Sequence, residues 1–265
     1  MPAQTGFQFQ ESDLAFLQYT FQLRLATIDH LAELSGRSYK QTQKRVAALE
    51  ERNYLKLVQK RPHKHVYAIG KAAVPLLIEH GYAPKELSEK RLRENELKEL
   101  GIKHAVFVAD IHVKLLQLTK AASLQLVNWV EGPSLWDRVM MSNNVEVPIR
   151  PDALFTIAPP NGKWRSHFFL EADRGTMAHS RMREKVAGYI AYFHQRLHLK
   201  KYDGMKVFRV LTATTTSGRA EELSREYRTM MRPDWLAAYP IVAFADLTLP
   251  ALMPEIEQAV GEQQS

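Results

Sequence analysis

Apolar positions recur at helical spacing from the start of the chain. After Ser12, residues Leu14, Phe16, Leu17 and Phe21 are the buried positions of a first helix. Thr27 is placed to cap a short second helix, IDHLAELSG, which Gly36 ends. Ser38 followed three residues later by Gln41 forms a capping box that opens a third helix. There Thr42, Val46 and Leu49 share the inward face and leave Tyr39, Lys40, Gln43 and Lys44 outside; Asn53 ends the helix. The pattern then changes to short strands, YLKLVQK and HVYAIG, turning across Arg61-Pro62-His63-Lys64. Three helices followed by such a hairpin predict a winged helix-turn-helix.

A further helix, KAAVPLLIEHGY, follows with Pro75 in its first turns, and then a strongly charged stretch. In that stretch Leu87, Leu92 and Leu97 among mixed charges predict a connecting surface helix. From Gly101 a long helical run places Val106, Ala109, Val113 and Leu116 on one face, with His104 near its start. LQLVNWVEG reads as a strand ending at Glu131, and two more strands flank Pro-Pro-Asn-Gly. A helix with Met182, Val186, Ile190 and Phe193 on one face comes next, then strand, helix and strand to about Leu249. The order predicts a mixed sheet flanked by helices. The expected division is 1–82 for the winged module, 83–100 for the connector and 101–265 for an α/β domain; the fold class is α+β or α/β.

Charge sharpens the first of these regions. From Arg37 to Lys64 there are nine basic residues against Glu50 and Glu51, an excess as large as the +7 of the whole chain. Cations on a helix N-terminal half and a hairpin tip suit phosphate contact and base reading in a major groove. The DNA-facing residues expected are Ser38, Tyr39, Lys40, Gln43, Lys44, Arg45, Lys60, Arg61 and Lys64. A solvated basic face on a protein-interaction module is the alternative. His30, His63 and His65 read as packing or solvated residues. The absence of cysteine excludes disulfides, thiolate nucleophiles and zinc-cysteine sites. No apolar run approaches membrane-spanning length and no signal sequence opens the chain, so a cytoplasmic location and no membrane partner are expected.

The second region carries acids where strands usually carry neutral residues: Asp152 on one, Glu171 and Asp173 on the next. Glu171 and Asp173, two apart, stand on one face. Clustered carboxylates repel, so a cation belongs among them, either an ion from solvent or Arg150, Arg174 or Lys185. Pro-Asp, then an acid-bearing strand, then a helix is similar to the core of PD-(D/E)xK nucleases. Over most of its length the chain more closely resembles the replication-relaxation family of plasmid and mobile-element proteins. The residues carrying that resemblance are Arg150-Pro151-Asp152, Glu171 to Thr176, Lys185 with Tyr189, Val210-Leu211-Thr212 followed by Arg219, and upstream His104 and Trp129-Val130-Glu131.

The nuclease resemblance implies Mg²⁺ or Mn²⁺ on Asp152 and Glu171. Its usual lysine, two residues after the glutamate, is here Asp173, which can serve as a third ligand or a base. Lys185 on the following helix can replace that lysine, or be a solvent-exposed residue paired with acids. Catalytic roles are thus expected for Asp152, Glu171, Asp173 and Lys185. A purely structural network, with Arg150 and Arg174 pairing Asp152 and Asp173, is the competing reading. His194 and His198, four apart, have ligand-compatible spacing but read as surface residues. Walker and dinucleotide glycine motifs are absent. Two functions follow. One is a DNA-binding protein of plasmid or mobile-element replication or mobilisation that nicks DNA with a divalent metal. The other is a non-catalytic regulator or replication factor that uses the second domain for assembly. The partners are double-stranded DNA, with a homodimer and replication or mobilisation proteins as further candidates.

Overall fold

The computed structural model describes residues 7–60, 64–84, 91–92 and 97–256. Of the sequence-based expectations, Arg61 to His63 at the hairpin tip and most of the charged connector lie outside these residues. The chain forms two compact units, Met1–Val113 and Lys114–Ser265.

In the first unit, α1 (Glu11–Leu23), α2 (Ile28–Ser35) and α3 (Tyr39–Glu51) precede β2 (Leu55–Gln59) and β3 (Val66–Ile69). A two-residue strand, β1 (Ala26–Thr27), pairs antiparallel with β3, which pairs antiparallel with β2. Local sequence chemistry explains the helix ends. Thr27 accepts from the His30 amide at 3.3 Å, and His30 Nδ1 accepts from the Thr27 amide at 3.2 Å. Ser38 and Gln41 cap each other reciprocally, and Gly36 ends α2 in the left-handed conformation at φ 68°. Phe16, Leu17, Phe21, Val46 and Leu49 form the core with Leu31 and Tyr67.

After α4 (Ala73–Glu79) comes α5 (Glu99–Ala121), the helix that the sequence assigns to the start of the second domain. Its first half packs within the first unit: Ala109 and Val113 join the core just described, while Ile102, Ala105 and Val106 join Leu25 and Val66. His30, buried, completes this unit's polar interior by meeting Asp110 of α5 through Nε2 at 2.6 Å.

The second unit is built on a five-stranded sheet of order β10-β9-β8-β7-β4. The strands are β4 (Gln125–Val130), β7 (Ala153–Ala158), β8 (Ser166–Asp173), β9 (Arg209–Thr214) and β10 (Ile241–Ala243). β8, β9 and β10 are parallel to one another, and β7 is antiparallel to both β8 and β4. This is the mixed sheet the element order predicts. Helices α6 (His179–His194) and α8 (Ser217–Met230) contribute to the core of one sheet face, with Phe169, Val210, Leu223 and Tyr227 inside. A hairpin without a counterpart in the sequence reading, β5 (Asp137–Met140) and β6 (Glu146–Ile149), packs Val139, Val147 and Ile149 in the same core.

Two expectations change here. The buried face of α6 is Met182, Val186, Tyr189 and Tyr192, whereas Ile190 is half-buried and Phe193 exposed. The tyrosines take the inward positions because their hydroxyls find acceptors there, Glu171 and Asp137, both at 2.7 Å. His194 and His198 do not share a helix. The chain breaks at Arg196, left-handed at φ 55°, before the short α7 (Leu197–Lys201). His198 is buried with Nε2 on the Lys206 carbonyl at 3.2 Å, and His194 lies against Trp235.

Candidate functional site

In the first unit the N-terminal half of α3 presents Ser38, Tyr39, Lys40, Gln43 and Lys44 to solvent, and Lys60 is exposed at the end of β2. The capping box frees this face by satisfying the helix start internally. Lys40, Lys44 and Lys60 have no carboxylate partner among the described residues. Two other cations expected on this face are engaged elsewhere. Arg45 forks onto the fully buried Asp13, donates to the Gln8 carbonyl at 2.7 Å, and covers Phe7. It sits one turn after Thr42, beside the buried stripe, so its guanidinium reaches α1. Lys64 is half-buried and lies 3.5 Å from Asp110.

In the second unit the acids converge on the polar end of the sheet. β8 runs parallel to β9 with Glu171 opposite Thr212 and Asp173 opposite Thr214. Strand alternation turns both acids to the α6 and α8 side, and they are 4 % and 3 % exposed. Asp152 stands immediately before β7, its amide on the Leu170 carbonyl at 2.9 Å and its Oδ2 accepting from the Ala172 amide at 2.7 Å. It thereby closes the ladder where β7 meets β8.

Each buried acid has a different partner. Glu171 takes a contact from the Lys185 ammonium on one oxygen and from the Tyr189 hydroxyl, at 2.7 Å, on the other. Lys185 and Tyr189 are four apart on α6, hence on one face of it. Burial pushes the Glu171 carboxyl up, with the charge of Asp152 adding to the effect and Lys185 opposing it. Burial alone would lower Lys185, but Glu171 outweighs it and holds the ammonium protonated. Tyr189 is driven well above its ordinary value, first by burial and then by Glu171. Asp152, Glu171, Lys185 and Tyr189 therefore form one electrostatic centre.

Asp173 belongs to a second network. Arg219 of α8 donates through Nε to Asp173 at 2.8 Å, through Nη1 to Glu222 at 2.9 Å and through Nη2 to the Met177 carbonyl at 2.8 Å. His179 Nε2 lies 2.6 Å from Glu222, and the Gly175 amide donates to Asp173 at 3.1 Å. The cations expected beside the acids, Arg150 and Arg174, form no ion pair among the described residues. Arg150 lies over the Trp136 ring instead. Sequence could not show Arg219 as the partner of Asp173, because the two are 46 residues apart; the local signal is only the Thr216 cap that starts α8, accepting from the Arg219 amide.

The three acids expected to share an ion do not form one group: among the described residues no cluster of three or more His, Asp or Glu is placed to hold a metal. Asp173 is neutralised by Arg219. Asp152 and Glu171 couple through their charges, and a hard cation on these two carboxylates would have to share Glu171 with Lys185 and Tyr189. Glu131, at the end of β4, accepts from Trp129 Nε1 at 2.8 Å and is a local partner of that ring.

The model of the replication-relaxation family matches residues 17–208, a span that includes α3, Asp152, Glu171, Lys185 and Tyr189 and stops short of Arg219. No curated protein and no solved structure matches the chain.

Proposed function

The chain belongs to the replication-relaxation family, and on that premise we propose that it is a DNA-binding protein of plasmid or mobile-element replication and mobilisation whose second unit nicks one strand. The first unit engages duplex DNA through Lys40, Gln43 and Lys44 of α3, with the β2–β3 hairpin following the backbone. The observation that carries the cleavage reading is the meeting of Lys185 with Glu171 beside Asp152. This supplies from a helix the cation that position 173 lacks on the strand.

Cleavage requires water to add to phosphorus while one P–O bond breaks. Asp152 and Glu171 would hold Mg²⁺ or Mn²⁺, which supplies charge to the phosphoryl oxygens and makes a bound water more acidic. The Lys185 ammonium donates to the attacking water or a phosphoryl oxygen, and Tyr189 fixes the Glu171 carboxylate through its hydroxyl. Asp173 and Arg219 brace the strand end.

Supercoiled plasmid incubated with Mg²⁺ or Mn²⁺ tests this. The wild type is expected to yield open circles, and Asp152→Ala, Glu171→Ala and Lys185→Ala to be slower by roughly a hundredfold or more. Undiminished cutting by these variants sinks the assignment. A second reading rests on the completeness of the Glu171 contacts: with Lys185 and Tyr189 both engaged, the centre is internally balanced and serves assembly alone. It expects intact DNA affinity and no nicking with either metal.

A further inference from the structure

The β5–β6 hairpin turns one face away from the core, and beside its open end stands Trp136, the most exposed tryptophan of the second unit. β5 pairs antiparallel with β6 from Asp137 opposite Ile149 to Met140 opposite Glu146. Alternation sends Val139, Val147 and Ile149 inward, so Arg138, Met140, Glu146 and Pro148 face out. One step beyond the last pair stand Trp136 and Arg150. The Arg150 guanidinium lies over the indole at 5.0 Å from its centroid. Trp136 is 48 % exposed and Met140 49 %. Apolar area of this kind on a polar surface marks a contact site when a complementary partner can be named.

The main chain that carries the indole is fixed, and Arg150 covers one face of the ring. The Trp136 amide donates to the Pro133 carbonyl at 3.0 Å, and its carbonyl accepts from the Lys201 ammonium at 2.6 Å. Tyr202 braces the preceding residue by donating to the Leu135 carbonyl at 3.3 Å. A half-exposed ring on an anchored main chain, with a guanidinium on it, loses less freedom on stacking than one on a free loop. The charge around it is positive. Arg150 has no carboxylate partner among the described residues, and both acids of the hairpin strands are matched: Glu146 by Arg138 at 2.7 Å, and Asp137 by Lys201 at 3.9 Å and the Tyr192 hydroxyl at 2.7 Å. Arg150 is also two residues before Asp152, which puts their Cα atoms within about 7 Å of each other.

We propose that Trp136, backed by Arg150, is a stacking platform for an unpaired DNA base, holding single-stranded DNA next to the Asp152–Glu171 centre. A flat π-face takes any base, and the flanking cations take the adjoining phosphates. The platform would hold unpaired bases at the nicking centre, separate from the duplex contacts proposed for α3. The inference deepens the proposal that the second unit acts on DNA.

The test uses the full chain in EDTA, so that no cutting is involved, with fluorescein-labelled oligo(dT) and a duplex of mixed sequence as separate probes. Trp136→Ala should weaken oligo(dT) binding roughly tenfold and leave duplex affinity unchanged. Trp136→Phe, which keeps a ring, should restore most of the affinity while removing the part of the tryptophan fluorescence quenched on titration. Wild-type oligo(dT) affinity in Trp136→Ala overturns the assignment, as does an equal loss on both probes or a failure of the wild type to bind the oligonucleotide. Nicking is scored separately on plasmid: binding through Trp136 without cutting leaves the platform standing and removes only the cleavage reading.

Discussion

The two candidate faces, the α3 surface of the first unit and the β8 end of the second, keep their charges in opposite places. On α3 Lys40 and Lys44 stand in water without carboxylate partners among the described residues, while Arg45 is drawn onto Asp13, and the helix beneath them is held by its cap and its apolar stripe. On β8 the acids are withdrawn from water and each is matched by a cation from a different helix. Exposed, unpaired charge contributes almost nothing to folding and is available to a polyanion. Buried, paired charge couples chemistry to stability, since removing one partner strands the other. Substitutions in the first unit's face should therefore separate binding from folding, and those in the second unit's centre should not.

The largest expected effect concerns backbone rather than charge. A Cβ on Gly70 would lie 2.1 Å from the Asn53 carbonyl oxygen, and backbone cannot swing aside as a side chain can. Gly70→Ala should destabilise the first unit by roughly 5 kcal/mol, seen as a lost or strongly shifted transition in urea. Gly188→Ala is the counterpart in the second unit, where the nearest atoms are the tips of Val147 and Ile149 at 3.0 and 3.1 Å. It should cost about 1 kcal/mol.

Next in size is Glu171→Ala, which leaves the largely buried Lys185 ammonium without its carboxylate. A loss of about 3–4 kcal/mol is expected, and the double variant with Lys185→Met should recover most of it. A double variant no more stable than Glu171→Ala would show that the pair is not coupled as its geometry implies.

A smaller effect is driven by acid. Burial, with His30 beside it, pushes His112 down to about 3 from an ordinary 6.5. The unfolded chain binds a proton below about 6.5, whereas the folded chain refuses it until about 3. Stability is thus intact above the higher value and falls with pH across that window, by up to ~1.4 kcal/mol per pH unit. His112→Gln should flatten this dependence in thermal melts taken between pH 6 and pH 4. The smallest effect on folding belongs to Lys40→Ala, within about 0.5 kcal/mol. Its duplex binding should nonetheless weaken, with the logarithmic salt slope reduced by about one. A Lys40 variant that destabilises the fold as Glu171→Ala does would erase the contrast between the units.

What the sequence revealed follows the range of the interactions involved. Thr27, Gly36 and the Ser38–Gln41 box act within four residues, and the structure has them as read. The order of strands and helices in the second unit is likewise visible in alternating periods. Partner choice is not. Arg45 turns to Asp13, 32 residues away, and Asp173 is met by Arg219 rather than by its neighbour Arg174. The β5–β6 hairpin is short, and its strands have only two inward residues each, too few to stand out from loop. On α6 the aliphatic stripe pointed to Ile190 and Phe193 because hydropathy ranks a tyrosine below them; a buried acceptor reverses that order at Tyr189 and Tyr192.

His30 has one more consequence. The Thr27 amide can only donate, so Nδ1 of the imidazole must offer a lone pair, and the ring proton is confined to Nε2 facing Asp110. The tautomer is dictated by main chain, and nitrogen-15 shifts of this ring should report a single Nε2–H species. The first turn of α2, the helix that leads into α3, is thus closed by a single imidazole lone pair.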